Sequence, residues 1–331
     1  MDATIKDVAK AAGVSVATVS RVLNKTAVVS GTTTQQVLEA VEKLQYSPNF
    51  LGRNLRKCET NVILSILPTT NESYYGEIVR GMQETADSFG YGLILGLSYG
   101  QLENEVRHLS MLYNRTVDAA VLLGTQLDAD TLNELSRKYP VALCCERIEG
   151  AAVPTVTVDN ENGAYCAVSK LIEKGHTRIG MVSTTGKALS SIDRETGYVR
   201  ALRDHGIQPL TEYMYLNSYD YVNGALAFDY FMSLPEPPTA VFAISDSLAA
   251  GIIKRALEKG CRVGQDLAVI GFDNISLCEM YMPSISTVAQ PCYNLGKKIV
   301  EVLVDELQTG HKHSERINMP YSLILRSSTG D

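Results

Sequence analysis

The chain lacks most of what membrane, secreted, redox and catalytic proteins need. No window holds the ~18 consecutive apolar residues of a membrane span. The N-terminus, MDATIKDVAK, has no basic patch followed by an apolar run, so no signal peptide is expected. A cytoplasmic protein without a membrane partner is therefore the default expectation. The seven cysteines (58, 144, 145, 166, 261, 278 and 292) form no C-x-x-C pair. An odd count in a long chain fits reduced thiols better than a disulfide frame. The Cys144–Cys145 doublet lies in an apolar stretch and reads as core. There is no G-x-S-x-G, no P-loop and no H-E-x-x-H. Gly90-Tyr91-Gly92 is a loose match to a dinucleotide loop, and it precedes a strand instead of following one. The five histidines are scattered, and His311-Lys312-His313 reads as a surface loop. No metal, no cofactor, no catalytic residue and no enzyme activity are expected.

What is present has an uneven charge. The 331 residues carry a net charge of −7, so the chain as a whole is not basic. Residues 1–58, however, hold eight Lys/Arg against four Asp/Glu, a net of +4, and the remainder holds 22 against 33, a net of −11. The pattern is a small module for a polyanion joined to a larger acidic body. A content of 45% apolar and 20% charged residues is that of soluble globular domains, and the length allows two or three of them.

In the basic module, Thr4-Ile5-Lys6-Asp7 is a capping-box start, with Asp7 suited to the positive helix end. Val8, Ala9 and Ala12 give one apolar face, and Gly13 stops the helix. Ser15 can cap a second helix from Val16 to about Asn24. Two short helices around a Gly-containing turn make a helix-turn-helix. Val19, Val22 and Leu23 form the inner face of the second helix. Val16, Ala17, Thr18, Ser20 and Arg21 form the outer one: short or hydrogen-bonding groups able to approach base edges, with Arg21 suited to guanine. A third helix over about Thr33 to Gln45 closes the core through Val37, Val41 and Leu44. Double-stranded DNA is the expected partner.

The run ATIKDVAKAAGVSVATVSRVLN, followed by LQYSPN, resembles the headpiece of the lactose-repressor (LacI/GalR) family of bacterial transcription regulators, and the resemblance continues over nearly the whole chain. It implies a headpiece over residues 1–48 in which Thr4, Ser15, Val16, Ala17, Thr18, Ser20, Arg21 and Asn24 meet DNA. A hinge over 49–60 is implied next, with contacts from Asn49 and Arg53 and with Leu55 as a minor-groove wedge. Read from its residues, Asn49–Lys57 is a helix too short to be stable alone, weakened further by Gly52. Folding of two such hinges together on a bent operator is what the resemblance implies. Gly52 stands where the family usually has Ala, and Thr34 where it usually has Arg.

From Asn61 onward, apolar runs such as Val62–Leu67 alternate with helical stretches, the mark of a doubly wound α/β sheet. About ten strands is long for one open sheet, so two sheets are expected. The order resembles the type I periplasmic-binding-protein fold, with lobe 1 at about 61–158 and 289–318 and lobe 2 at about 159–288 and 319–331. Ligands of open α/β sheets sit outside the carboxyl ends of the strands. That singles out Tyr74, Tyr75, Glu146, Asp159-Asn160, Arg194, Tyr219, Asp246 and Asp273. Carboxylates, an Arg and aromatics together suit a polyhydroxylated ring. Each residue also has a bland reading, Asp246 as a helix cap and Asp273 as a turn former. The resemblance implies that Arg194 and Asp273 bracket the effector and that Tyr219 stacks on it. Glu146 stands where Asp is frequent; Thr69 and Ser73 replace a usual Asp and Pro.

Stretches such as PNFLGRNLRK and GFDNISL look most like the cytidine-repressor branch, which implies a nucleoside or a related sugar. Ala188 lacks the Arg of purine-binding members. The expectation is a repressor, cytoplasmic and on the bacterial nucleoid, that binds a pseudo-palindromic operator as a homodimer. A tetramer and a protein corepressor on the first lobe stay open. The competing class is a sugar- or nucleoside-binding protein, or an enzyme, on the same two-lobed scaffold. The headpiece and hinge argue against it.

Overall fold

The computed structural model describes residues 3–24, 27–46, 59–71, 73–186 and 188–331. Two compact units divide at Glu59 and Thr60. The first holds helices α1 (Ile5–Ala12), α2 (Val16–Asn24) and α3 (Gly31–Lys43). Asp7 closes a capping box with Thr4, and Gly13 ends α1 at φ 66°, a left-handed conformation that glycine adopts without a steric cost. The Ser15 hydroxyl accepts from the Thr18 amide at 3.1 Å and so caps α2. α3 starts two residues before the expected Thr33, because Ser30 caps it instead. Val8, Ala9, Val19, Val37 and Ala40 form the core of this unit.

The second unit is built from two six-stranded sheets. The elements in chain order are β1 (Val62–Leu67), α4 (Ser73–Ser88), β2 (Gly92–Leu97), α5 (Leu102–Tyr113), β3 (Ala119–Leu122), α6 (Ala129–Lys138), β4 (Val141–Cys144), β5 (Thr155–Val158), α7 (Asn160–Glu173) and β6 (Ile179–Thr184). They continue with α8 (Leu189–Asp204), β7 (Met214–Asn217), α9 (Tyr221–Met232), β8 (Ala240–Ala243), α10 (Asp246–Glu258), β9 (Ala268–Asp273), α11 (Leu277–Met280), β10 (Ser286–Ala289), α12 (Cys292–Thr309), β11 (Arg316–Met319) and β12 (Ser322–Ile324).

The first sheet runs β11-β5-β4-β3-β1-β2, all parallel. The second runs β12-β10-β9-β8-β6-β7, and only its β10–β12 pairing is antiparallel. β1, β3, β4, β8 and β9 are buried almost throughout, as central strands covered on both faces must be. The chain passes between the sheets after β5, after β10 and after β11. With β10 ending at Ala289 and β11 at Met319, the later passages fall at 290–291 and 320–321.

Several helices begin earlier than their apolar periodicity indicates. α8 starts at Leu189, not near Gly197, so Arg194 stands in its second turn and not at its head. α10 is capped by Ser245, whose hydroxyl accepts from the Leu248 amide at 3.3 Å, so Asp246 is its first residue and not its cap.

Candidate functional site

The headpiece offers one polar face. On α2, Ser15, Val16, Ala17 and Arg21 are exposed, Thr18 and Ser20 are half-buried, and Val19 is fully buried. The Ser15 and Thr18 hydroxyls share a hydrogen bond of 2.9 Å. Val16 is 40% exposed, so packing is not what holds an apolar residue there. Thr4 begins α1, and both its amide and its hydroxyl donate to the Asp7 carboxylate, at 2.9 and 2.6 Å. These bonds hold Asp7 below its usual carboxylate range. The side chain of Asn24, and Asn49, Arg53 and Leu55 with the rest of the hinge, lie outside the described residues.

In the body, a chain of buried polar contacts lies where the strands end. Arg194 and Asp273 are each 7% exposed at the side chain and stand 3.5 Å apart. The Arg194 guanidinium carbon lies over the Phe272 ring, 3.7 Å from its centroid. Its Nε donates to the Asn160 side-chain oxygen Oδ1 at 2.9 Å, and Nη1 donates to the Ile244 backbone carbonyl. Burial alone would depress this cation. Asp273, then Tyr219, Tyr74 and Glu146, outweigh it and keep the group above its ordinary value.

Asp273 accepts from the Gln290 amide at 2.7 Å, and Gln290 accepts from the Tyr74 hydroxyl at 3.3 Å. Asp273 and Asn274 both have positive φ, 113° and 57°, conformations that Asp and Asn tolerate better than most residues. Burial pushes the Tyr74 phenol well up. Tyr75 meets Tyr74 edge-on at 5.3 Å, the arrangement aromatic quadrupoles favour. A cleft of about 590 Å³ opens beside them, with Tyr74, Glu77, Asn274, Gln290 and Cys292 among its walls.

Glu146 follows β4. Its carboxylate accepts from the Ser190 amide and hydroxyl at 2.9 and 2.6 Å. Burial raises its pKa against those bonds. Of the residues singled out from sequence, Tyr74, Glu146, Arg194, Tyr219 and Asp273 therefore come together electrostatically, with Tyr75 against Tyr74.

Asp246 has a different setting. It is fully buried, and it accepts from the Thr287 hydroxyl at 2.6 Å and the Ile275 amide at 3.0 Å. Burial pushes it up to about 6. Its oxygens tie α10 to β10 and to the turn after Asp273. Gln290, Asn160 and Ser190 are contacts that complete the cluster; Gln290 and Ser190 carried no sequence motif of their own. Among the described residues, no group of three or more His, Cys, Asp or Glu is disposed to hold a metal.

A helix-turn-helix unit and a two-lobed body with a polar, aromatic-lined cleft define a DNA-binding regulator with an effector-binding domain. Residues 4–49 match the model of the bacterial regulatory proteins of the lacI family, and residues 168–329 match the periplasmic binding protein-like domain. The HTH-type transcriptional repressor CytR of Escherichia coli K12 is 37% identical over 99% of this chain and 96% of its own length. The lac repressor dimer bound to operator and the anti-inducer ONPF shares the fold at TM-score 0.90 and 24% identity, over 99% of both chains. A LacI family regulator of Enterococcus faecium with bound ribose matches at TM-score 0.73 and 25% identity, over 81% of this chain and 98% of that one. The chain belongs to the LacI family of bacterial regulatory proteins. It is a transcriptional regulator and not an enzyme.

Proposed function

We propose that the protein represses transcription as a homodimer on a near-palindromic operator, and that a small polyhydroxylated effector, a sugar or nucleoside, bound between the lobes governs the grip. The observation that carries the effector reading is the Tyr74–Gln290–Asp273–Arg194 chain. A buried carboxylate and guanidinium beside aromatic rings supply charge-assisted hydrogen bonds to hydroxyls and a flat surface for a ring face. Tyr74, Tyr75, Glu146, Arg194, Tyr219 and Asp273 are the contacts proposed, with Asp246 holding the Asp273 turn from behind. A thermal-shift screen of sugars and nucleosides tests this, since a ligand that binds only the folded state raises its stability by mass action. No shift with any of them would sink it.

On the DNA side, α2 is proposed to lie in the major groove, with Thr4, Ser15, Val16, Ala17, Thr18, Ser20, Arg21 and Asn24 at the duplex. The hinge is proposed to follow in the minor groove, with contacts from Asn49 and Arg53 and with Leu55 as wedge. Replacing Arg21 by Ala is expected to cost about 1–3 kcal/mol at one base pair and relax the preference there. Binding measured across single-base operator variants checks this. Equal weakening on every sequence would assign Arg21 to phosphate instead.

Pairing of two bodies is supported by apolar side chains left exposed on both lobes. Ile94, Leu95 and Tyr99 belong to the first lobe; Tyr221, Val222, Met280 and Met282 belong to the second. Exposed apolar side chains that gather into a patch mark protein contacts. The proposed setting is the bacterial cytoplasm, on the nucleoid. No helix among the described residues is long and apolar enough to cross a membrane.

A further inference from the structure

Two neighbouring residues of the first lobe reach the first turns of one helix in the second. After β4, Glu146 accepts both the amide and the hydroxyl of Ser190 on α8. The next residue, Arg147, forms a two-point bond with Asp193, one turn further along the same helix. Its Nη2 donates to Asp193 Oδ1 at 2.7 Å and its Nε donates to Oδ2 at 3.3 Å. The pair is largely shielded, with side chains 24% and 16% exposed. A forked guanidinium on a carboxylate fixes direction as well as distance. Arg147 also meets Glu149 on its own segment, but Glu149 is 87% exposed and holds nothing across the cleft.

Asp193 is followed directly by Arg194, which stands against Asp273 in the cleft. Moving α8 away from the first lobe would break both bridges and shift Arg194 with them. The lobes are also tied by the Tyr74–Gln290–Asp273 bonds and by the three chain passages, which can act as hinges.

We infer that Arg147 and Asp193 form a lock that holds the two lobes together without touching the effector, and so set how much effector the regulator needs. The lock raises the population of the closed arrangement before any ligand arrives. A ligand that binds the closed form then has an apparent affinity scaled by that population. Loss of the lock lowers affinity although every ligand-contacting residue is intact. The affinity part of this inference rests on the cleft being the effector site; the closure part does not.

The test uses the full-length protein in three variants: Arg147→Ala, Asp193→Asn and the two combined. The first readout is hydrogen exchange, without ligand, at the Ser190 amide. That amide is held by Glu146, which none of the variants changes. Each single variant is expected to speed its exchange by roughly tenfold, within the usual range for coupled sites. The double variant is expected to go no further, because all three break one interaction. Arg147→Ala is the decisive case, since it lies outside α8 and leaves that helix's own sequence unchanged. Unchanged protection in Arg147→Ala, or effects that add in the double variant, would overturn the lock.

The second readout is binding of cytidine and of ribose by calorimetry. A loss of about tenfold in either single variant, with no further loss in the double, is expected for whichever probe binds. Unaltered affinity alongside faster Ser190 exchange would overturn the claim that the lock sets the effector threshold. If neither probe binds the unaltered protein, the effector reading fails for these two ligands, and the exchange readout still decides the lock.

Discussion

Replacing Asp273 by Asn is expected to lower folding stability by about 3–5 kcal/mol, the usual cost of removing one partner from a buried ion pair. Asp273 and Arg194 are each 7% exposed, so water cannot take over the role of the lost carboxylate. Asn isolates the charge: it tolerates the positive φ of 113° at this position, and its amide oxygen can still accept from Gln290. The stack on Phe272 and the bonds to Asn160 and the Ile244 carbonyl remain, which places the loss toward the lower end. Removing the cation as well, with Arg194→Met and Asp273→Asn combined, is expected to regain part of that stability, because the guanidinium is no longer buried without its Asp273 partner.

Effector binding should not recover with it. A hydrogen bond to a charged group contributes about 1.5–3 kcal/mol, so Asp273→Asn is expected to weaken binding by roughly 10- to 150-fold. Urea unfolding and ligand titration read the two effects separately. A stability change below about 0.5 kcal/mol in the single variant would mean that Asp273 is an ordinary turn residue. Rescue of ligand affinity in the double variant would remove both side chains from the site.

How much of this could be read in the sequence varied with how local each signal is. The helix-turn-helix was legible because its signals lie within a few residues: Thr4 with Asp7, Gly13 at its left-handed position, and Ser15 with Thr18. Central strands such as Val62–Leu67 and Ala240–Ala243 were legible as buried apolar runs.

β10 was missed. Its sequence STVA contains Ser286 and Thr287, whose hydroxyls bond to partners distant in sequence, among them the Arg326 carbonyl and the Asp246 carboxylate. Missing β10 hid Gln290, which follows that strand directly and would have qualified by the same rule that found Asp273. The apolar periodicity of α8 begins after its polar first turns, and so Ser190 and Asp193 carry no local signal of their role. The α6 helix, with only Leu132 and Leu135 buried, has too narrow an apolar stripe to stand out. Contacts between lobes depend on residues far apart in the chain, and local pattern does not encode them.

The helix crossing that covers the first sheet predicts two glycine substitutions of opposite sign on one helix. Gly81 lies where α4 meets α12. A Cβ there would stand 2.0 Å from the Tyr293 carbonyl oxygen and 3.1 Å from the Lys297 amide nitrogen. The contact is reciprocal, since a Cβ on Gly296 would stand 2.0 Å from the Ile78 carbonyl oxygen. Both obstacles are helix backbone and cannot rotate aside. Gly76, on the same helix, has nothing within 4 Å of its Cβ position.

Alanine gains about 1 kcal/mol over glycine inside a helix. At Gly76 that gain is unopposed, and Gly76→Ala is expected to stabilise by up to about 1 kcal/mol. At Gly81 the helices must separate, and overpacking of this kind costs about 1–3 kcal/mol or more. Backbone against backbone belongs at the upper end, so Gly81→Ala is expected to destabilise by about 2 kcal/mol net of the helix gain. Because α12 starts two residues after Gln290, displacing it should also disturb the bond from Gln290 to Asp273 and weaken effector binding. Urea midpoints of the two variants, measured side by side, should therefore move in opposite directions. A shift in the same direction would show that α4 and α12 do not cross as closely as their glycines require.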